Sequence, residues 1–351
     1  MFEVINRPSL TKYKGFCLYG FTCLISVILM KDTGFYLMNR SKQMIKTVGI
    51  MGAGSVGSAL MYEMYQRDPE NVYLLATGDR AERLSTKGIS VNNEVIFPKV
   101  YSDPSQGVHI DLLILAAKTY SMDSVIEDMR PLIDKDTILL PIENGITTST
   151  LLEGEFPENR VFYGVVLRTD AHRMSRRVYY RTLGEMQIGY ADNRVVKPEV
   201  QESYERLKEL GVNVKIYEDM RRAKWRKWML NTGASQTAVE VQAECGFFGQ
   251  VEEVRALMKM LMDEILAVAK AEGVDLNEAD RDEIIEILIN FPPDKKMSML
   301  QDYEAGRPIE IEEYAGEVIR LGRKHGIPTP ANEILYLAIT ARQKIAELRK
   351  G

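Results

Sequence analysis

The hexapeptide Gly52-Ala53-Gly54-Ser55-Val56-Gly57 restricts what this chain can fold into more than any other feature. It has GxGxxG spacing and lies between an apolar run, 46–51, and a helical pattern over 55–66. In that setting the first glycine permits a tight turn, the second lets backbone approach a pyrophosphate, and the third allows close helix packing. The helix N-terminus behind them offers N–H groups and partial positive charge to phosphates. Alone the hexapeptide is a weak signal, because glycine-rich turns also serve purely structural ends. The strand before it and the helix after it raise its weight. Gly52, Gly54, Ser55, Val56 and Gly57 are therefore candidate dinucleotide contacts.

From Met44 to about Asp192 short apolar runs alternate with helical stretches, the rhythm of a doubly wound parallel sheet. The pattern predicts strands at 46–51, 72–76, 110–116, 137–142 and 161–166, helices at 55–66 and 121–130, and further strands at 176–181 and 185–189. From about Glu199 the composition turns helical. Residues 251–272 repeat apolar side chains at three- and four-residue spacing and stop at Gly273, a common C-terminal cap. Another helix is expected from about Glu310 to His325, and Thr329-Pro330 opens a terminal one. The fold class is α/β: a Rossmann-type dinucleotide-binding domain over 44–217, then an all-helical catalytic and substrate domain over 218–351.

Composition narrows the function. With 45% hydrophobic and 27% charged residues the 351-residue chain is globular rather than disordered. A net charge of −5 gives no general attraction for phosphate backbones, so nucleic acid is not an expected partner. Cys17, Cys23 and Cys245 form no CxxC pair and the three histidines lie far apart, so no metal site is expected and the compartment reads as reducing and cytoplasmic. The uncharged segment 15–30 resembles a membrane segment, but its 16 residues fall short of the roughly 20 that span a bilayer. An anchor, a signal-like leader and translated sequence upstream of a start at Met44 compete. The last is preferred, so residues 1–43 are read as a leader outside the fold.

Cofactor choice belongs near the end of the second strand. Asp79, 22 positions beyond Gly57, could hold a ribose 2′-hydroxyl, while Arg80 and Arg83, one helical turn apart, could clamp a 2′-phosphate. The two arginines favour NADP(H). At the carboxyl ends of later strands, where α/β chemistry collects, stand Lys118 and Asn144. In the helical half Lys227, Asn231 and Ser235 follow at i, i+4 and i+8, which stacks one titratable donor and two neutral polar groups on one helix face. Ser298 and Asp302 are also one turn apart, and Glu310 follows. A solvated polar face would give the same spacing.

Together these residues resemble the 2-dehydropantoate 2-reductase (ketopantoate reductase) family. The likeness runs from Lys46 to about Lys344. It is carried by GAGSVG at 52–57, Lys118, Glu143-Asn144-Gly145, WRKWMLN at 225–231 and the long block at 298–333. The resemblance implies a Rossmann domain, a helical domain, a place in pantothenate biosynthesis, and NADPH-dependent reduction of a 2-oxo acid in the cleft between the domains. It implies that Lys227 is the catalytic lysine and Glu310 the active-site glutamate. Asn144, Asn231 and Ser298 would contact substrate, with Ser298 on its carboxylate, and Lys118 would lie near the cofactor. Asn144 and Lys118 are counted with the cofactor contacts, and Asp302 and Ser235 with the substrate contacts.

One departure stands out: Ser235, followed by Gln236, occupies the place of a second family asparagine. The resemblance still implies a 2-oxo acid substrate, with 2-dehydropantoate first, though the shorter serine could shorten a substrate contact. Another 2-oxo acid or an opine-type dehydrogenase reaction is the enzymatic alternative, and a non-enzymatic NADPH-binding redox sensor the other. A homodimer is left open, and a membrane partner is not expected.

Overall fold

The computed structural model describes residues 45–349, so the expected leader lies outside the described residues. The chain begins β1 (Val48–Met51), α1 (Ser55–Arg67), β2 (Val72–Leu75) and α2 (Gly78–Lys87), then three short strands, β3 (Ile89–Val91), β4 (Glu94–Ile96) and β5 (Lys99–Tyr101). Next come β6 (Leu112–Leu115), α3 (Met122–Met129), β7 (Ile138–Pro141), α4 (Thr148–Glu155), β8 (Arg160–Val161) and β9 (Tyr163–Leu167). A hairpin of β10 (His172–Met174) and β11 (Arg177–Tyr179) precedes β12 (Glu185–Gly189), α5 (Pro198–Glu209) and β13 (Val214–Ile216). All later elements are helical: α6 (Met220–Val241), α7 (Gly246–Gln250), α8 (Glu252–Ala271), α9 (Glu278–Ile289), α10 (Ser298–Glu304), a π-turn at Glu312–Gly316, α11 (Glu317–His325) and α12 (Pro330–Leu348).

The main sheet has the order β5-β2-β1-β6-β7-β8, and every pairing in it is parallel. Its central strands read VGIM, LLIL and ILLP and are buried along their whole length, as strands covered on both faces must be. One face packs on α1 and α5 through Leu60, Met61, Met64, Val200 and Leu207, the other on α3 through Val125, Ile126 and Met129. A separate core in the helical half centres on Trp228, Phe248, Met258, Leu261 and Tyr314. Among the described residues no helix is long and apolar enough to cross a membrane, and no group of three or more His, Cys, Asp or Glu could hold a metal.

Two expectations change. The run 161–166 is not one strand: β8 joins the parallel sheet, while β9 leaves it to pair antiparallel with β12 in a second sheet ordered β13-β12-β9. Helix α5, where composition first turns helical, still serves the α/β half, because β13 after it pairs with β12. Glu310 does not begin the helix expected at 310–325; it lies in the irregular segment 307–310, and the helix starts at Glu312 as a π-helical turn. Strands β3 to β5 carry no clear sequence signal, since each is three residues long and held by its partners.

Candidate active site

The glycine turn is fixed by contact as well as by torsion. Gly52 has φ +111°, and a Cβ there would lie 2.6 Å from the Ala116 backbone. A Cβ on Gly57 would lie 1.9 Å from the Gly52 carbonyl oxygen, so helix α1 can meet the turn only without one. At Gly54 an added Cβ would touch only the Ala116 oxygen, at 3.7 Å, so the approach to the helix stays open. Gly54 makes no side-chain cap and α1 has no acid in its first turn, which leaves its leading N–H groups available to an anion. Asp79, Arg80 and Arg83 all occupy the exposed first turns of α2. The residues present therefore fit a dinucleotide.

At the carboxyl ends of β6 and β7 the chain brings distant charges together. Lys118 donates to Glu310 Oε2 at 2.6 Å and to Asp302 Oδ2 at 3.2 Å. Burial alone would lower this ammonium, but the two carboxylates outweigh it and hold Lys118 above its ordinary range. Asn144 donates to the same Glu310 oxygen at 3.3 Å, and Asn231 donates to Asn144 Oδ1 at 3.3 Å. Arg307 donates to Asp302 at 2.8 Å. Glu310 is 2% exposed and is surrounded by donors.

Helix α6 supplies the other wall. Asp219 caps it by accepting from the Arg222 N–H at 2.8 Å, and buried Trp228 donates from Nε1 to the Glu313 carbonyl at 2.7 Å, which fixes its rotation. Lys227 is half-buried and makes no hydrogen bond or ion pair to any described residue. Burial first, and the neighbouring Lys224 charge second, push it down to about 8. Ser235 is fully buried at the inner end of this face, with its hydroxyl unpartnered. Gln236 does not share that face, since its amide donates to Thr232 O and to Asn332 Oδ1. Ser298 is exposed at the start of α10, and Asp302 is taken up by Lys118 and Arg307. Val56 packs partly on the core behind α1.

Sequence reasoning passed over several neighbours. Glu143 and Lys224 are 7% and 3% exposed, and neither carboxylate oxygen nor the ammonium has a hydrogen-bond partner. Burial pushes the Glu143 carboxyl up and the Lys224 ammonium down, each opposed by the other's charge. Lys224 stands three residues before Lys227, so helical spacing could have revealed it. Glu313, half-buried near Glu310, is pushed up to about 7 by burial and then by that neighbour. Arg173, far off in sequence, donates to the Ala53 carbonyl in the glycine turn at 2.5 Å, and nothing local signalled it.

A phosphate-ready glycine turn joined to a site with a free ammonium beside fixed amides and carboxylates fits a class: a dinucleotide-dependent oxidoreductase whose second half is helical. Two family models match, "Ketopantoate reductase PanE/ApbA" over residues 48–193 and its C-terminal model over 219–343. The chain belongs to that family, and is an NADP-dependent oxidoreductase acting on a CH–OH group. A 2-dehydropantoate 2-reductase from Mycobacterium tuberculosis is 25% identical over 84% of this chain and 97% of its own length. The crystal structure of a PanE/ApbA family ketopantoate reductase from Ralstonia eutropha JMP134 is 26% identical, with TM-score 0.73, over 86% of this chain and 99% of that one. D-mandelate dehydrogenase, solved with NADH and anilino(oxo)acetate, shares the fold at 22% identity and TM-score 0.73, covering 85% of this chain and 98% of that one.

Proposed function

We propose that this protein reduces 2-dehydropantoate to pantoate with NADPH, with Lys227 as proton donor. Bound NADPH supplies hydride to the carbonyl carbon. As that C–H bond forms, the C=O π electrons move to oxygen, and the Lys227 ammonium gives that oxygen a proton, leaving a neutral amine and a CH–OH group. The observation that carries this reading is the free, half-buried ammonium of Lys227 beside the fixed Lys118–Glu310–Asn144–Asn231 chain. A donor tuned to about 8 is charged near neutral pH and releases its proton more readily than an ordinary lysine. Asn144 and Asn231 orient the substrate, Glu310 holds Lys118 and Asn144, and Ser298 receives the substrate carboxylate at the cleft edge.

The 2′-phosphate falls to Arg80 and Arg83, which have no ion-pair partner among the described residues and project from the helix after β2. A second substrate reading rests on Ser235, whose short hydroxyl reaches less far than an asparagine amide and suits a different 2-oxo acid. Mixing the purified chain with NADPH and a panel of 2-oxo acids, 2-dehydropantoate and phenylglyoxylate among them, and following nicotinamide absorbance tests both. The highest kcat/KM belongs to 2-dehydropantoate if the first reading holds. Higher turnover of another acid replaces the substrate and keeps the reaction, and no oxidation of NADPH with any acid overturns the proposal.

A further inference from the structure

The β10–β11 hairpin is fastened where it can reach the cofactor. Strand β11 runs parallel to β3, pairing Arg177 with Ser90 and Val178 with Val91. Tyr180, just beyond it, donates from its hydroxyl to Glu63 of α1 at 2.6 Å and from its N–H to Asn92 at 3.0 Å. Val178 is 1% exposed and seats the hairpin. Arg173, on the outer strand, lies across the front of α1 and donates to the carbonyl of Ala53, between the first two glycines of the turn.

Arg173 is one of four guanidinium groups gathered there from three separate segments. Besides burial, the charges of Arg80, Arg307 and Arg83 all depress its proton affinity, so all four lie within electrostatic reach. Among the described residues only Arg307 of the four has a carboxylate partner, Asp302. Like charges drawn together without counter-ions repel, and the repulsion is relieved by a bound polyanion. The position separates their tasks. Arg80 and Arg83 open α2 beyond β2, the ribose end, whereas Arg173 touches the turn itself.

We propose that Arg173 is a diphosphate clamp: from the hairpin it closes over the glycine turn and pairs with the dinucleotide's two bridging phosphates, facing Arg307 from the helical half. The inference rests on the cofactor reading above and adds a binding residue to it. Diphosphate is common to NADPH and NADH, so Arg173 contributes affinity to both and selectivity to neither. Because Asp302 holds both Arg307 and Lys118, the same anion ties the cofactor end to the catalytic cluster.

The test is dinucleotide affinity of the full chain by calorimetry, for the parent, Arg173→Ala, Arg173→Lys and the Arg80→Ala/Arg83→Ala double variant. Arg173→Ala should weaken NADPH and NADH alike by about tenfold or more, the scale of one charge-assisted hydrogen-bonded contact. Arg173→Lys should recover part of it, and the double variant should weaken NADPH alone. Inorganic pyrophosphate should raise the melting temperature of the parent more than that of Arg173→Ala. Affinities within twofold of a binding parent would overturn the clamp alone, and a loss confined to NADPH would move Arg173 to the 2′-phosphate and overturn it too. A parent that binds neither dinucleotide overturns the cofactor reading together with the clamp.

Discussion

The two ends of this site are built on opposite electrostatic plans. At the proposed cofactor end Arg80 and Arg83 are exposed, and neither they nor Arg173 has a carboxylate partner among the described residues. At the proposed catalytic end Lys118, Glu310 and Asp302 are partly or wholly buried and satisfy one another. Exposed unpaired cations gain their counter-charge from the ligand, so they set affinity and selectivity. Buried paired charges hold their geometry without one, so they set the shape in which reaction occurs. Lys227 belongs to the second region by burial but to the first by its lack of a partner among the described residues, the combination that the proposed proton transfer requires.

Lys227→Ala breaks that contrast most deeply. It should lower kcat by at least about a hundredfold, the scale of losing a positioned general acid, while dinucleotide affinity by calorimetry stays near the parent's. Turnover within a few-fold of the parent removes Lys227 from the mechanism. Next in size is the cofactor end: replacing Arg80 and Arg83 together by Ala should cut the preference for NADPH over NADH by roughly 10- to 100-fold, read from the two dissociation constants. An unchanged preference transfers the choice to Asp79.

The pH profile sharpens the comparison. The proposed mechanism needs Lys227 protonated, and burial pushes its pKa down to about 8. The rate should therefore hold below that value and fall as pH rises through it, approaching about tenfold per unit, as a single deprotonation requires. A profile flat to pH 10 contradicts a lysine donor lowered by burial. Smallest is Ser235→Ala. Losing one neutral hydrogen bond, about 0.5–1.5 kcal/mol, should raise KM for the favoured acid a few-fold at unchanged kcat and melting temperature. If every KM is unmoved, the hydroxyl does not meet substrate.

Much of the frame was legible in the chain. The strands at 48–51, 112–115 and 138–141 are short apolar runs because both sheet faces are covered, and their burial leaves a period-independent signature. Lys227 and Asn231 share a helix face by spacing alone, and α6 confirms the helix over 220–241. The split of 161–166 was not legible, because Phe162 is as apolar as its neighbours and only the choice of partner strand divides β8 from β9. The same holds for Glu310, whose place outside the following helix follows from packing rather than propensity.

Sequence by itself determined the βαβ alternation that opens the fold, the glycine turn that only glycine can build, and the residue types available for binding phosphate and moving a proton. These follow from steric rules and periodicities that act over a few residues. Tertiary structure alone decided the pairings: Lys118 with Glu310, 192 positions away, and Arg173 with the carbonyl of Ala53, 120 positions away. It also decided which lysine of α6 stands half-buried with no partner among the described residues. Charge interaction and burial depend on distance through space and on the water excluded, and neither quantity is written in the spacing along a chain.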